Sequence, residues 1–140
     1  MTRLIFIPLV AAIVAVLFPA SAAPAQQQGP AGRWQCQFAN QTVSNNAFEN
    51  WIYEFALSLN TNGSFQAQGN YNAQTNGFSI PFYAEGRWQQ KPTGIEIVGK
   101  QQQQGNGVMD FVLWLTNVAD RTMSSQYQSA NGKLLTYCQR

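Results

Sequence analysis

The fold is decided by Trp51–Leu59, with the sequence WIYEFALSL, together with the segment after it. Apolar side chains stand at every second position, and the alternation resumes at Phe65 after an Asn-Thr-Asn-Gly turn at residues 60–63. Successive side chains of a β-strand point to opposite faces, so this period predicts two strands that each have one dry and one wet face. Because Asn-Gly is typical of hairpin turns, the two strands are predicted to be antiparallel neighbours.

The same pattern continues to the end of the chain. It predicts eight strands, at residues 33–40, 51–60, 64–72, 78–89, 94–101, 108–117, 122–128 and 133–139. Most connections are short and carry Gly, Asn or Pro, which makes consecutive strands antiparallel neighbours. We therefore predict an all-β fold over residues 32–140, an eight-stranded antiparallel up-and-down barrel, with a β-sandwich as the alternative. Pro81 cannot donate to a ladder and predicts a bulge or a locally free edge in strand four.

The first residues have the three-part pattern of a secretory signal peptide. A basic start at Arg3 precedes an apolar run at residues 4–18, and small residues follow up to Ala25. We predict a signal peptide over residues 1–25, a flexible segment over residues 26–31 and no stable membrane span after cleavage. The protein is expected to be periplasmic or secreted, in a bacterial host.

Cys36 and Cys138 are the two cysteines of the chain, one near each end of the predicted domain. Export implies an oxidising compartment, where two thiols in one small domain normally pair. A disulfide requires their Cα atoms to lie within about 7 Å of each other. The first and last strands must then be neighbours, which favours a sheet that closes on itself.

The charges of the chain are few and scattered. Without Arg3, seven basic and six acidic residues remain, and the basic ones form no cluster. Nucleic acids and anionic membranes are bound by concentrated positive charge, so neither is an expected partner. The run of four glutamines at residues 101–104 is interpreted as a solvated strand end and loop.

Catalytic and metal-binding residue types are scarce. The chain has no histidine, which excludes a Ser-His-Asp triad and imidazole metal ligands. The paired cysteines cannot form a zinc site, and the one near pair of acids is Glu49 and Glu54. We predict a protein that is not an enzyme and that uses no metal and no cofactor.

The alternation also identifies the inward face of the sheet. Strand six is assigned the register that points Met109 and Phe111 inward, because the other register would bury Asp110. Seven inward aromatic residues are candidates to line a ligand cup: Trp51, Tyr53, Phe55, Tyr71, Phe82, Trp88 and Phe111. Small residues on the same face favour a hollow interior: Ala67, Gly69, Ala84, Gly86 and Gly99. A barrel of this size is either filled by side chains or holds one small ligand, and both alternatives stay open.

The start of the predicted domain resembles a known group of small barrels. Gly32-Arg33-Trp34 is similar to the Gly-x-Trp opening of lipocalins and avidins, the calycins, and Ala31-Gly32-Arg33-Trp34 resembles the opening of bacterial inhibitors of secreted metalloproteases. The resemblance implies that Trp34 seals one end of the barrel beneath an arginine, Arg121 or Arg140. The chain departs from those inhibitors in its cysteines, which span the barrel ends, and avidin's biotin-contacting residues have no clear counterparts here.

The sequence supports three hypotheses of function. The first is an exported, non-enzymatic barrel that binds a small apolar or aromatic ligand in its cup. The second is a barrel that binds a secreted or periplasmic protein, such as a protease inhibitor that inserts residues 26–32 as an arm. The third is a structural or stress protein of the cell envelope with a filled core.

Overall fold

The computed structural model of the protein describes residues 29–42, 50–73, 77–129 and 132–140. These residues form a single antiparallel sheet of nine strands. The strands are β1 (Gly32–Thr42), β2 (Trp51–Leu59), β3 (Ser64–Ala73), β4 (Phe78–Lys91), β5 (Gly94–Gln103), β6 (Gly107–Leu115), β7 (Asn117–Val118), β8 (Thr122–Ser129) and β9 (Gly132–Gln139). The predicted all-β, antiparallel fold is confirmed.

The first and last strands of the chain lie side by side in the middle of the sheet. The strand order is β6-β5-β4-β3-β2-β1-β9-β8-β7. Cys36 on β1 stands opposite Cys138 on β9, with their Cα atoms 4.0 Å apart, and the two are joined by a disulfide. The predicted bridge is confirmed. The two edges of the sheet are β6 and β7, which are consecutive in the chain, so the sheet curls round on itself.

The wall of this curled sheet is joined along only part of its length. The predicted sixth strand is interrupted at Thr116, whose N–H donates a hydrogen bond to the Ser124 carbonyl of β8, at 3.2 Å. Beyond it β7 forms two ladder pairs with β8, whereas among the described residues β6 pairs with β5 alone. The eight-stranded up-and-down barrel of the prediction is therefore corrected to a partial barrel of nine strands. The predicted sixth strand is divided in two, because its first part, β6, pairs with β5 and its end, β7, pairs with β8.

The two ends of the partial barrel differ. We call the end at Gly32, Leu59, Leu115 and Gln139 the closed end, because β7 joins β8 there. We call the opposite end, at Trp51, Gln103, Gly107 and Gly132, the open end, because β6 and β8 are not paired there. The side chains that are almost completely buried cluster toward the closed end: Trp34, Leu57, Leu59, Phe65, Ile95, Ile97, Leu115, Met123 and Cys138.

The predicted registers hold on the described strands. Asp110 points outward and forms an ion pair with Lys100. Phe111 is buried, and Met109, two residues before it on the same face, is 36% exposed. β4 pairs with β5 only from Phe82 onward, so Pro81 lies where β4 has β3 as its one partner. Of the two predicted explanations for that proline, the free edge is the one observed.

Several predictions fall outside the described residues. They are the signal peptide at residues 1–25, the first part of the 26–31 segment, and Glu49 in the connection between β1 and β2. Within the described ranges, no helix has the length and apolar character needed to cross a membrane.

Candidate functional site

The closed end is sealed by Trp34 and an arginine. Of the two candidate arginines, Arg140 stacks on the indole, with its guanidinium carbon 4.3 Å from the ring centroid, in the geometry of a cation–π pair. Arg121 contributes its carbonyl, which accepts a hydrogen bond from the Arg140 backbone N–H at 3.1 Å. The guanidinium also donates to the carbonyls of Ala31, at 2.9 Å, and Gly29, at 3.1 Å. This end of the interior is therefore covered by stacked and hydrogen-bonded groups.

Two of the small residues that favoured a hollow interior, Gly86 and Gly99, instead lie against an aromatic ring. A Cβ atom placed on Gly86 or on Gly99 would lie 2.9 Å from the ring of Phe65. That ring in turn stacks on Phe111, with centroids 5.6 Å apart. Side chains at these two positions would collide with the backbone of the neighbouring strand and with Phe65, whose ring fills this part of the interior.

Aromatic rings crowd the open half of the interior. Tyr53 lies at the centre of the group, with ring centroids 5.4 Å from Trp51, 5.0 Å from Tyr71 and 5.0 Å from Phe82. Most of these contacts are edge-on or tilted, the arrangements that aromatic quadrupoles favour. Phe82 continues the contacts to Phe55 and Phe111, so six of the seven predicted lining residues belong to one connected aromatic cluster.

A cavity of about 330 Å³ lies beside this cluster. Its lining is Phe38, Trp51, Tyr53, Gln101, Asp110, Phe111, Val112 and Leu134. It therefore reaches from β1 and β2 across to β6 and β9, where β6 lacks a second partner among the described strands. Three predicted lining residues, Trp51, Tyr53 and Phe111, line it directly. Trp88 does not, because it lies toward the closed end, where its Nε1 donates to the Asn60 carbonyl at 2.8 Å.

Two glutamines of the Gln101–104 run are buried on the same inner face. Gln101 and Gln103 are 8% and 6% exposed, while Gln102 and Gln104 face solvent. The interpretation of the whole run as solvated is thus wrong for these two, because β5 extends to Gln103 and keeps its alternation. Gln103 Nε2 donates to the Tyr53 hydroxyl at 2.5 Å. Gln101 and Gln103 therefore bring amide groups into the open half of the interior.

The amide of Gln101 is only partly satisfied. Its Nε2 donates a long hydrogen bond to the Asp110 carbonyl, at 3.5 Å. Its Oε1 is buried and accepts no hydrogen bond from any residue in the described ranges. Buried polar atoms normally have a partner, and leaving one without costs about 1–3 kcal/mol. An acceptor in need of a donor therefore stands in the wall of an aromatic cavity.

Tyr53 supplies a neutral hydroxyl to the same cavity lining. Burial raises the pKa of Tyr53 above its usual 10.0, and the neighbouring side-chain amides of Gln101 and Gln103 oppose part of this effect. The phenol therefore keeps its proton at neutral pH. Within the ranges described, no three Cys, Asp or Glu side chains come together as metal ligands would. What this arrangement offers a ligand is stacking, apolar contact and hydrogen bonding.

Sequence reasoning did not identify Phe38, Leu134 and Gln101 as lining residues. The signal for each was present, since each continues the two-residue period of a strand whose inward face was known: Cys36 to Phe38, Leu134 to Cys138, and Ile97 to Gln101. For Gln101, the polar composition of residues 101–104 was given more weight than its inward position in the two-residue alternation.

Comparison with known proteins finds similarity among solved structures. No protein-family model matches the chain, and no curated protein matches it. Among solved structures it is similar to a de novo designed fluorescence-activating β-barrel, with 11% sequence identity and a TM-score of 0.47. The match covers 79% of this chain and 92% of the designed one.

Proposed function

We propose that the protein is an exported, non-enzymatic binding protein that holds one small aromatic ligand in the open half of its partial barrel. The observation that carries the proposal is the buried Gln101 Oε1 without a donor, in the lining of a cavity otherwise formed largely by aromatic and aliphatic side chains. A ligand N–H or O–H that reached this oxygen would satisfy it.

The size and lining of the cavity narrow the class of ligand. Its volume of about 330 Å³ lies at the lower end of the range typical of small-molecule sites. Trp51 and Phe38, with ring centroids 5.2 Å apart, present aromatic surface for stacking. The ligand that fits is a compact aromatic molecule of about two fused rings with one hydrogen-bond donor.

Export belongs to the same proposal. It rests on the signal-peptide pattern of residues 1–25 and on the Cys36–Cys138 disulfide, which is compatible with an oxidising compartment outside the cytoplasm. A carrier or scavenger of small aromatic molecules in the periplasm or the medium would need such export.

Matched ligand pairs test the proposal. Tryptophan fluorescence would follow binding of 1-naphthol and of naphthalene, which differ by one hydroxyl donor. We expect 1-naphthol to bind about tenfold more tightly, because it satisfies an acceptor that naphthalene leaves unpaired.

Adjacent variants provide the control. Gln101→Met should remove the preference for 1-naphthol, whereas Gln102→Met, on the solvent face of the same strand, should keep it. If neither compound, nor a wider panel of bicyclic aromatic molecules, changes the fluorescence, the binding proposal is wrong.

A further inference from the structure

The outer face of the sheet carries a second concave site, away from the aromatic cavity. It is a groove of about 460 Å³ over strands β9, β1, β2 and β3. Ala56 on β2 forms its floor, and Gln35 on β1 and Gln68 on β3 stand opposite Ala56 on either side. Because a short side chain lies between two long ones, the surface forms a trough at this point.

The lining of the groove is rich in amides and almost uncharged. Gln35, Gln68 and Gln139 are exposed residues of the lining, so their amides can meet a ligand in the groove. Glu54 is the ionisable acid in the lining, and its two oxygens accept from Gln37, at 3.4 Å, and Asn72, at 3.3 Å. A ligand here meets amides that both donate and accept hydrogen bonds.

An exposed aromatic ring borders the same groove. Tyr137 on β9 lines it, is 46% exposed and stands opposite Gln37 on β1. A tyrosine ring offers a flat apolar surface next to the amides. The groove thus combines dense hydrogen bonding with one platform for an apolar face.

We propose that this groove binds a neutral carbohydrate chain. Sugar hydroxyls donate and accept hydrogen bonds, as the amides of Gln35, Gln68 and Gln139 do, and the C–H face of a sugar ring packs on an aromatic ring such as Tyr137. The carboxylate of Glu54 disfavours an acidic polysaccharide.

The strand pairing argues against an extended peptide at this place. β1 is paired on both sides, with β2 and β9, and β2 is paired with β1 and β3, so no backbone edge is available for strand addition. From β9 to β3 the groove crosses three strand spacings, or about 14 Å, which suits a short oligosaccharide.

The test uses the exported protein and a panel of defined sugars. Isothermal titration would compare neutral cello-, xylo-, manno- and chito-oligosaccharides with oligogalacturonate as the acidic counterpart. We expect at least one neutral oligosaccharide to bind and oligogalacturonate to bind at least tenfold more weakly. Gln35→Ala combined with Gln68→Ala should weaken neutral binding about tenfold, through the loss of two hydrogen bonds.

Two further variants separate the groove from other surfaces. Ala56→Leu, which fills the floor, should also weaken binding, while Gln126→Ala, on the outer face of β8 and outside the groove, should not. Gln101→Met should leave sugar binding unchanged, so this site and the aromatic cavity succeed or fail separately. Unchanged thermal unfolding of each variant would show that it is folded. Binding that survives both groove changes, or no binding of any neutral sugar, would overturn the proposal.

Discussion

The closed and open halves of the interior are built from the same strands but differ in how deeply their side chains are buried and in the polar groups they contain. At the closed end Trp34 is buried under Arg140 and the neighbouring side chains are almost fully buried. At the open end the cavity is lined by rings and by the partly satisfied amide of Gln101. If the cavity binds a ligand as proposed, stability and binding are separated along the strand axis.

The origin of the difference is the short closure of the sheet. β7 pairs with β8 at Asn117 and Val118, next to the closed end, and the backbone of Thr116 adds one more hydrogen bond to β8. Toward the open end β6 and β8 each have one partner among the described strands. The cavity lies where the wall is not joined, and the most deeply buried side chains pack where it is.

Removal of the disulfide is expected to have the largest effect on the closed half. The bridge joins residues separated by 102 positions, and constraint of so long a loop in the unfolded chain is worth about 4–5 kcal/mol. The variant Cys36→Ala/Cys138→Ala should lose about that much free energy of unfolding in urea. Reduction of the wild-type protein should give the same loss and leave the variant unchanged; a loss below about 1 kcal/mol would mean that the bridge does little for stability.

A matched pair of aromatic truncations compares the halves directly. Phe65→Ala should cost about 3–5 kcal/mol, since its ring is buried against Gly86, Gly99 and Phe111 and leaves a void. Trp51→Ala, at the half-exposed rim, should cost about 1–2 kcal/mol. Urea unfolding of both variants measures the difference. Equal losses would show that the open half contributes as much to stability as the closed half.

Most of the fold could be predicted from the alternation of apolar residues. The period of two located all the strands except the two-residue β7, and the cysteine positions placed β1 beside β9. The break at Thr116 could not be predicted, because Leu115 and Asn117 both fall within the one strand predicted at residues 108–117. The residue at which the chain stops pairing with β5 and begins to pair with β8 depends on where β8 lies in the folded protein, which the local sequence does not specify.

The candidate site was less predictable than the fold. Inward aromatic residues follow from the period, so Trp51, Tyr53 and Phe111 were found. Buried glutamines are rare unless they have partners, and the partner of Gln103 is Tyr53, fifty residues away in the chain. The local signal for such a glutamine is its inward position in the two-residue period, and its polar side chain argues against that signal.

The arginine seal tests whether the closed end depends on one residue. Arg140→Ala should lower the free energy of unfolding by about 2 kcal/mol, because it removes the cation–π contact with Trp34 and hydrogen bonds to the carbonyls of Gly29 and Ala31. Arg121→Ala is the matched control and should change it by less than about 0.5 kcal/mol, since its contact is through the backbone. Thermal and urea unfolding measure both. The reverse order of effects would assign the seal to Arg121.

The smallest expected effect concerns Tyr53 in the open half and appears at alkaline pH. Its pKa in the folded protein is raised above 10.0 by burial, so the folded state holds the proton more tightly than the unfolded state does. This contribution to stability is complete below pH 10.0 and is lost as the pH rises through the raised folded-state pKa.

Stability measured from pH 9 to pH 12 should therefore fall more steeply for the wild type than for Tyr53→Phe. The phenolate absorbance of the wild type should contain one late-ionising tyrosine that the variant lacks. A ligand that covers Tyr53 in the cavity should raise the pH of this ionisation further. If the wild type instead shows one additional tyrosine that ionises near pH 10.0, water reaches the Tyr53 hydroxyl and the open half is solvated.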